Sequence, residues 1–136
     1  MAQRILVVDD EAHIVQVLSL KLRNAGYEII TAVDGEEGVD LAREQRPDLI
    51  ITDFQMPYLT GLELCQALAE DEVTAKIPIV ILTARGYALD DADLALGNIK
   101  DVISKPFSPR AIVQLVRELL AEANGEAQPQ PRPEAA

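Results

Sequence analysis

The sequence predicts an α/β domain built on a five-stranded parallel sheet with helices on both faces. Three observations predict it. Short β-branched runs alternate with longer stretches of helical period. Most of the runs are almost continuously apolar, as strands are when a parallel sheet is covered on both sides. The composition, 136 residues of which 49% are hydrophobic, suits one globular domain with enough chain to bury a core. Right-handed crossovers then distribute the helices over both faces.

The elements follow in order. Ile5-Leu6-Val7-Val8 reads as the first strand. Over residues 11–25, Ile14, Val17, Leu18 and Leu22 recur on one helical face, and Gly26 is placed to end the helix. Residues 28–33 form the second strand. Asp34 can cap the next helix, with Glu37 three positions on as in a capping box. Leu49-Ile50-Ile51-Thr52 is the third strand. Thr60 and Glu63 repeat the cap before a third helix that carries Leu62, Cys65 and Leu68 inward. Residues 77–82 give the fourth strand. The fourth helix, around residues 87–96, has a polar stretch, Asp90-Asp91-Ala92-Asp93, and no clear cap. Val102-Ile103-Ser104 is the fifth strand. Ser108 followed by Pro109 starts the last helix: a capping hydroxyl, then proline in the first turn. The domain is expected over residues 1–123. From 124 to 136 the pattern stops, and Gln128-Pro129-Gln130-Pro131-Arg132-Pro133 reads as a disordered, Pro-rich spacer.

Charge and composition exclude several classes. A net charge of -11 argues against direct contact with nucleic acid or an anionic membrane. A single cysteine, Cys65, leaves no internal disulfide and reads as a small buried hydrophobe. No segment is long and apolar enough to span a bilayer, and Met1-Ala2-Gln3-Arg4 runs straight into strand-like sequence. A cytoplasmic protein is expected. His13, one turn into the first helix, is read as a helix-surface residue, because no base or donor pairs with it in sequence.

Polar residues gather where strands end. Asp9 and Asp10 follow the first strand, Asp53 the third, Thr83 the fourth and Lys105 the fifth. Sites in open parallel sheets form outside the carboxyl ends of strands, where strand order reverses. With the order 2-1-3-4-5, the first and third strands are neighbours about 4.8 Å apart. Asp9, Asp10 and Asp53 then form one carboxylate cluster flanked by Thr83 and Lys105. Such a cluster repels itself unless a cation sits in it, and hard oxygen donors without His or Cys favour magnesium. A carboxylate can attack phosphorus to give an aspartyl phosphate. A metal, an ammonium and a hydroxyl are the groups that hold the charge of that transition state.

Val8-Asp9-Asp10-Glu11, Asp53-Phe54-Gln55-Met56-Pro57 with Gly61, Leu82-Thr83-Ala84, and Lys105-Pro106-Phe107 occur in order, each after its own strand. In this the chain resembles the receiver domain of bacterial two-component response regulators, over roughly residues 3–122. The resemblance implies a flavodoxin-like fold with strand order 2-1-3-4-5 and a stand-alone regulator of the chemotaxis type. It implies that Asp53 takes a phosphoryl group from a phosphohistidine on a sensor histidine kinase or histidine phosphotransfer protein. Asp10, Asp53 and the backbone carbonyl of Gln55 would ligate Mg2+, with Asp9 helping through water. Lys105 would pair with phosphoryl oxygens, and Thr83 would move to hydrogen-bond them. The Lys105–Pro106 bond would be cis, as is common in such domains. Residues 12–15 and 106–108 would face the phosphodonor. Output would pass through the fourth-helix, fifth-strand and fifth-helix surface to a separate effector protein, or onward in a phosphorelay. The protein would be a monomer or weak dimer.

The chain departs from the family pattern at three places. Val102 stands where the family has an aromatic ring that changes rotamer with the switch; valine is stiff and has no ring to swing. Gly97-Asn98-Ile99 replaces an Ala-Gly-Ala turn, which Asn tolerates. Gln55 and Arg85 stand where, by the resemblance, the family tunes phosphoryl lifetime. Two other readings compete. One is a scaffold that keeps the fold without cycling phosphate. The other is a magnesium phosphohydrolase, which would need a second acid where Gln55 stands and a cap that the chain lacks room for.

Overall fold

A computed structural model describes residues 3–56, 59–84, 95 and 98–123. The described elements run β1 (Arg4–Val8), α1 (Ala12–Asn24), β2 (Glu28–Ala32), α2 (Gly35–Gln45), β3 (Leu49–Asp53), α3 (Gly61–Ala69), β4 (Ile79–Thr83), β5 (Ile99–Ser104) and α4 (Pro109–Ala123). The helix α4 is the last one expected from the sequence. The fourth helix expected at 87–96 lies, Ala95 apart, outside the described residues, as do Pro57, Arg85, Gly97 and the segment 124–136.

All strands are parallel and ordered β2-β1-β3-β4-β5. Order reverses between β1 and β3, so their carboxyl ends border one crevice. Ladder register is continuous at that end. Asp9 N donates to Ala32 O at 3.1 Å, Phe54 N to Leu82 O at 2.8 Å, and Lys105 N to Thr83 O at 2.8 Å. Residues just past three strands, β1, β3 and β5, are thereby held at one level on one edge of the sheet.

Alternation along the strands makes two cores. Leu6, Val8, Ile50, Ile79 and Ile81 face one way, against Val39 and Ala42 of α2 and Leu64, Cys65 and Leu68 of α3. Ile5, Val7, Leu49, Ile51, Val80 and Leu82 face the other, against Leu18 and Leu22 of α1 and Ile112, Val116, Leu119 and Leu120 of α4. Every residue of β3 and β4 is buried, which accounts for their unbroken apolar sequences.

Local signals set the helix starts. Asp34 accepts from Glu37 N at 2.8 Å, while Glu37 Oε1 accepts from Val33 N at 2.8 Å. Thr60 and Glu63 form the reciprocal capping box. Ser108 Oγ accepts from Ala111 N at 3.3 Å, with Pro109 as the first helical residue. Gly26, at φ +103°, follows the end of α1. One inward position differs from expectation. Val17 is 41% exposed, because the buried positions of α1 are Leu18, Ser19 and Leu22, on the far side from Val17. In α3 the buried stripe is Gly61, Leu64, Cys65 and Leu68, and Leu62, half-buried, packs against the same core as expected.

Candidate functional site

The crevice gathers charge from three connectors. Asp9 is fully buried just past β1, Asp10 beside it is exposed, and Asp53 ends β3 at 5% exposure. Each offers a carboxylate oxygen, and the three oxygens lie within 4.8 Å of one another. Lys105, after β5, reaches in across β4. Its Nζ lies 3.1 Å from Asp53 Oδ1, 3.2 Å from Asp9 Oδ2 and 2.9 Å from Glu11 Oε1. The other oxygen of Asp9 accepts from Glu11 N at 2.9 Å, which ties the start of α1 to the same carboxylate.

Asp53 is held in place from behind. Phe54 and Met56 turn inward and are nearly buried, which leaves Gln55 exposed on the outer side. Gly61 N donates to Phe54 O at 2.8 Å. A Cβ on Gly61 would sit 2.6 Å from Asp53 O, so α3 can abut the end of β3 only because this residue has no side chain.

Burial raises the pKa of Asp53 to about 6; the neighbouring Asp9 charge adds to the rise and Lys105 opposes it. Asp9 is raised by burial too, against its backbone hydrogen bond and Lys105. For Lys105, burial lowers the pKa, but the hydrogen bonds to Glu11 and Asp53 and the surrounding charges win, so it stays above the usual lysine range. Glu11 is lowered by its hydrogen bond to Lys105. Asp9, Glu11 and Asp53 contact this one ammonium and Asp10 lies beside them, so the cluster carries excess negative charge. An all-oxygen donor set with excess charge fits a hard divalent cation.

Thr83 closes β4, one step past Leu82, the register partner of Asp53. Its hydroxyl is buried and, among the described residues, has no hydrogen-bond partner. Such a group costs about 1–3 kcal/mol and calls for an explanation.

Residues 5–117 match the family model described as the response regulator receiver domain. The chain belongs to that family. The receiver is 42% identical over 121 residues to the alkaline phosphatase synthesis transcriptional regulatory protein PhoP of Bacillus subtilis, covering 88% of this chain and 49% of PhoP. It is 38% identical over 129 residues to the DNA-binding response regulator MtrA of Mycobacterium tuberculosis, covering 93% of this chain and 54% of MtrA. Among solved structures, the chemotaxis response regulator CheY4 of Vibrio cholerae superposes with TM-score 0.80 at 31% identity, over 88% of this chain and 99% of that one. The chain spans about half the length of the curated relatives it matches.

One expectation is overturned by these relatives. The sequence reading denied direct contact with nucleic acid and sent output to a separate effector protein. Receivers of this type occur within proteins named as transcriptional and DNA-binding regulators. The charge of -11 is a property of these 136 residues and does not bear on what a regulator built around such a receiver binds.

The receiver fold brings Asp9, Asp10, Asp53 and Lys105 together and sets Thr83 on the adjoining strand end. Gln55 lies in the bend after β3. Val102 pairs with Ile81 in the ladder and packs, half-buried, against the α2–α3 core. The Lys105–Pro106 peptide is cis. Glu11 was missed as a site residue. Its signal in sequence was its place directly after Asp9-Asp10, but its tie to Lys105 links positions 94 apart and needs the fold. His13 is largely exposed and lies 3.9 Å from Glu11. Burial pushes the Cys65 thiol up to about 12, as suits an inert core residue. Among the described residues, no helix is long and apolar enough to cross a membrane.

Proposed function

We propose that this receiver is a phosphorylation-operated switch in which Asp53 accepts a phosphoryl group from a phosphohistidine. The observation that carries the reading is Asp53 itself: a buried carboxylate with its pKa near 6, paired at 3.1 Å with Lys105 inside an acidic cluster. At neutral pH it is ionised and so nucleophilic.

Asp9, Asp10, Asp53 and the backbone carbonyl of Gln55 would hold Mg2+, which when bound supplies positive charge for the phosphoryl oxygens. An oxygen of Asp53 attacks phosphorus in line. The bond from phosphorus to the donor imidazole nitrogen breaks, and its electron pair stays on that nitrogen. Lys105 turns from Asp53 to the phosphoryl oxygens and offsets their charge. Asp9 positions Lys105 from the buried side. The Thr83 hydroxyl gains its acceptor, and the end of β4 shifts with it. The phosphorylated receiver then signals through protein–protein contacts or passes the group on in a relay. Gln55 is unable to act as a proton-transfer group, which suits a regulatory acceptor better than an enzyme turning over a free substrate.

The test is incubation with Mg2+ and acetyl phosphate, followed by intact-mass measurement. A mass gain of one phosphoryl group, absent in Asp53→Asn, is expected. No gain, or a gain that survives the substitution, overturns the reading.

A further inference from the structure

Lys105 is over-committed before any phosphoryl group arrives. Its ammonium has three hydrogens, and three carboxylates lie within 3.2 Å of it: Asp9, Glu11 and Asp53. A phosphoryl oxygen on Asp53 can receive one of those hydrogens only if a present partner lets go. The three partners are unequal. Asp9 is fully buried, and its other oxygen is fixed by Glu11 N. Asp53 is the residue that carries the incoming group. Glu11 alone has a half-exposed side chain, 48% accessible, and water is at hand to replace its contact. It also makes the shortest of the three contacts, at 2.9 Å.

We propose that Glu11 is a placeholder for the phosphoryl group: its carboxylate holds one hydrogen of Lys105 in the unphosphorylated receiver and yields it when Asp53 is phosphorylated. Glu11 is a positioning residue, acting through Lys105. The inference rests on the phosphoacceptor reading of Asp53. Because the Glu11 contact exists only before the reaction, it stabilises the starting state and slows labelling. Removing it should speed labelling by an amount typical of a part-exposed ion pair, roughly two- to five-fold.

The test compares the intact protein with Glu11→Gln and Glu11→Asp, each incubated with Mg2+ and acetyl phosphate. In that reaction an Asp53 oxygen bonds to phosphorus, the bond from phosphorus to the acetyl oxygen breaks, and acetate leaves with the electron pair. Rates are read by intact mass, and thermal melts confirm that both variants fold. Glu11→Gln keeps the shape and loses the charge. Glu11→Asp keeps the charge but is one methylene too short to hold the 2.9 Å contact. The placeholder role requires both to label about two- to five-fold faster than the parent. If Glu11→Gln is faster while Glu11→Asp matches the parent, the effect is bulk charge repulsion and the proposal fails. If either variant labels more slowly, Glu11 supports the reaction rather than waiting to leave, and the proposal again fails. Failure of the parent to label, by contrast, would overturn the assignment of Asp53 itself.

Discussion

Lys105 Nζ stands 3.1 Å from Asp53 Oδ1, joining the end of β5 to the end of β3 across the strand between them. The pair is the electrostatic centre of the site. An ammonium there limits how tightly a cation can bind and at the same time stabilises negative charge on anything attached to Asp53. Lys105→Met should therefore split two properties. Divalent-ion affinity should rise about tenfold, since a like charge is removed. Labelling by acetyl phosphate should fall on the order of a hundredfold, since a preorganised donor is lost. Isothermal titration with Mg2+ and intact-mass kinetics read the two separately; parallel loss of both would refute the split.

Stability of the metal-free receiver should depend on Asp53 in a definite direction. Its ordinary pKa is 3.8 and its folded value is about 6. The folded state holds the proton more tightly, so the contribution is full below 3.8 and is lost as pH rises through about 6. Asp9, also raised, acts in the same sense. Glu11, lowered by Lys105, acts in the opposite one: its contribution is present above its ordinary 4.5 and lost as pH falls. Lys105 stays charged throughout the window. In EDTA, denaturant unfolding should show stability declining from pH 4 to pH 7, with Asp53 accounting for up to about 3 kcal/mol. Asp53→Asn should flatten the profile and be the more stable protein at pH 7. An unchanged slope in the variant would show that Asp53 is not the titrating group.

Thr83→Ala should cost little in the unphosphorylated protein. It removes a methyl contact but also an unpaired buried hydroxyl. These effects oppose, and the net change should stay within about 1 kcal/mol. The phosphorylated state should suffer more, because there the hydroxyl has work to do. Thermal shifts on adding Mg2+ and acetyl phosphate should be smaller in the variant. Equal shifts would detach Thr83 from the switch.

Gly61→Ala should damage both fold and chemistry. The added Cβ would lie 2.6 Å from Asp53 O and 3.0 Å from Phe54 Cα, both backbone atoms that cannot swing aside. A loss of roughly 2–3 kcal/mol is expected from such overpacking. Slower labelling should accompany it, because relief requires moving α3 away from the end of β3 that carries Asp53. Wild-type stability in urea would contradict the close approach.

The fold was legible because its signals are local or periodic. Continuous apolar runs marked β3 and β4, and the Thr60–Glu63 and Ser108–Pro109 pairs marked helix starts. One helix face was read less well. Val17 is apolar but lies off the buried arc of α1, and only packing partners decide where that arc is centred. For the site, strand-end positions pointed to Asp9, Asp10, Asp53 and Lys105, because parallel topology turns sequence position into spatial proximity. Glu11 escaped because its importance depends on how far a lysine side chain reaches, which no spacing encodes. The exclusion of nucleic acid failed for another reason: net charge was read as a property of a whole regulator, when relatives carry this unit as about half of their length.

The connector between β1 and α1 is only three residues long, and all three are acidic: Asp9, Asp10 and Glu11. Asp9 accepts from Glu11 N and from Lys105, so the same short bend seats a helix and equips the crevice. Surface loops elsewhere absorb insertions cheaply. Here a single added residue would displace either the carboxylates or the start of α1, because Asp9 is tied to both Glu11 N and Lys105. Drift in this bend is consequently coupled to drift in chemistry, and a lineage that altered its length would have to rebuild the acidic cluster and the first helix together.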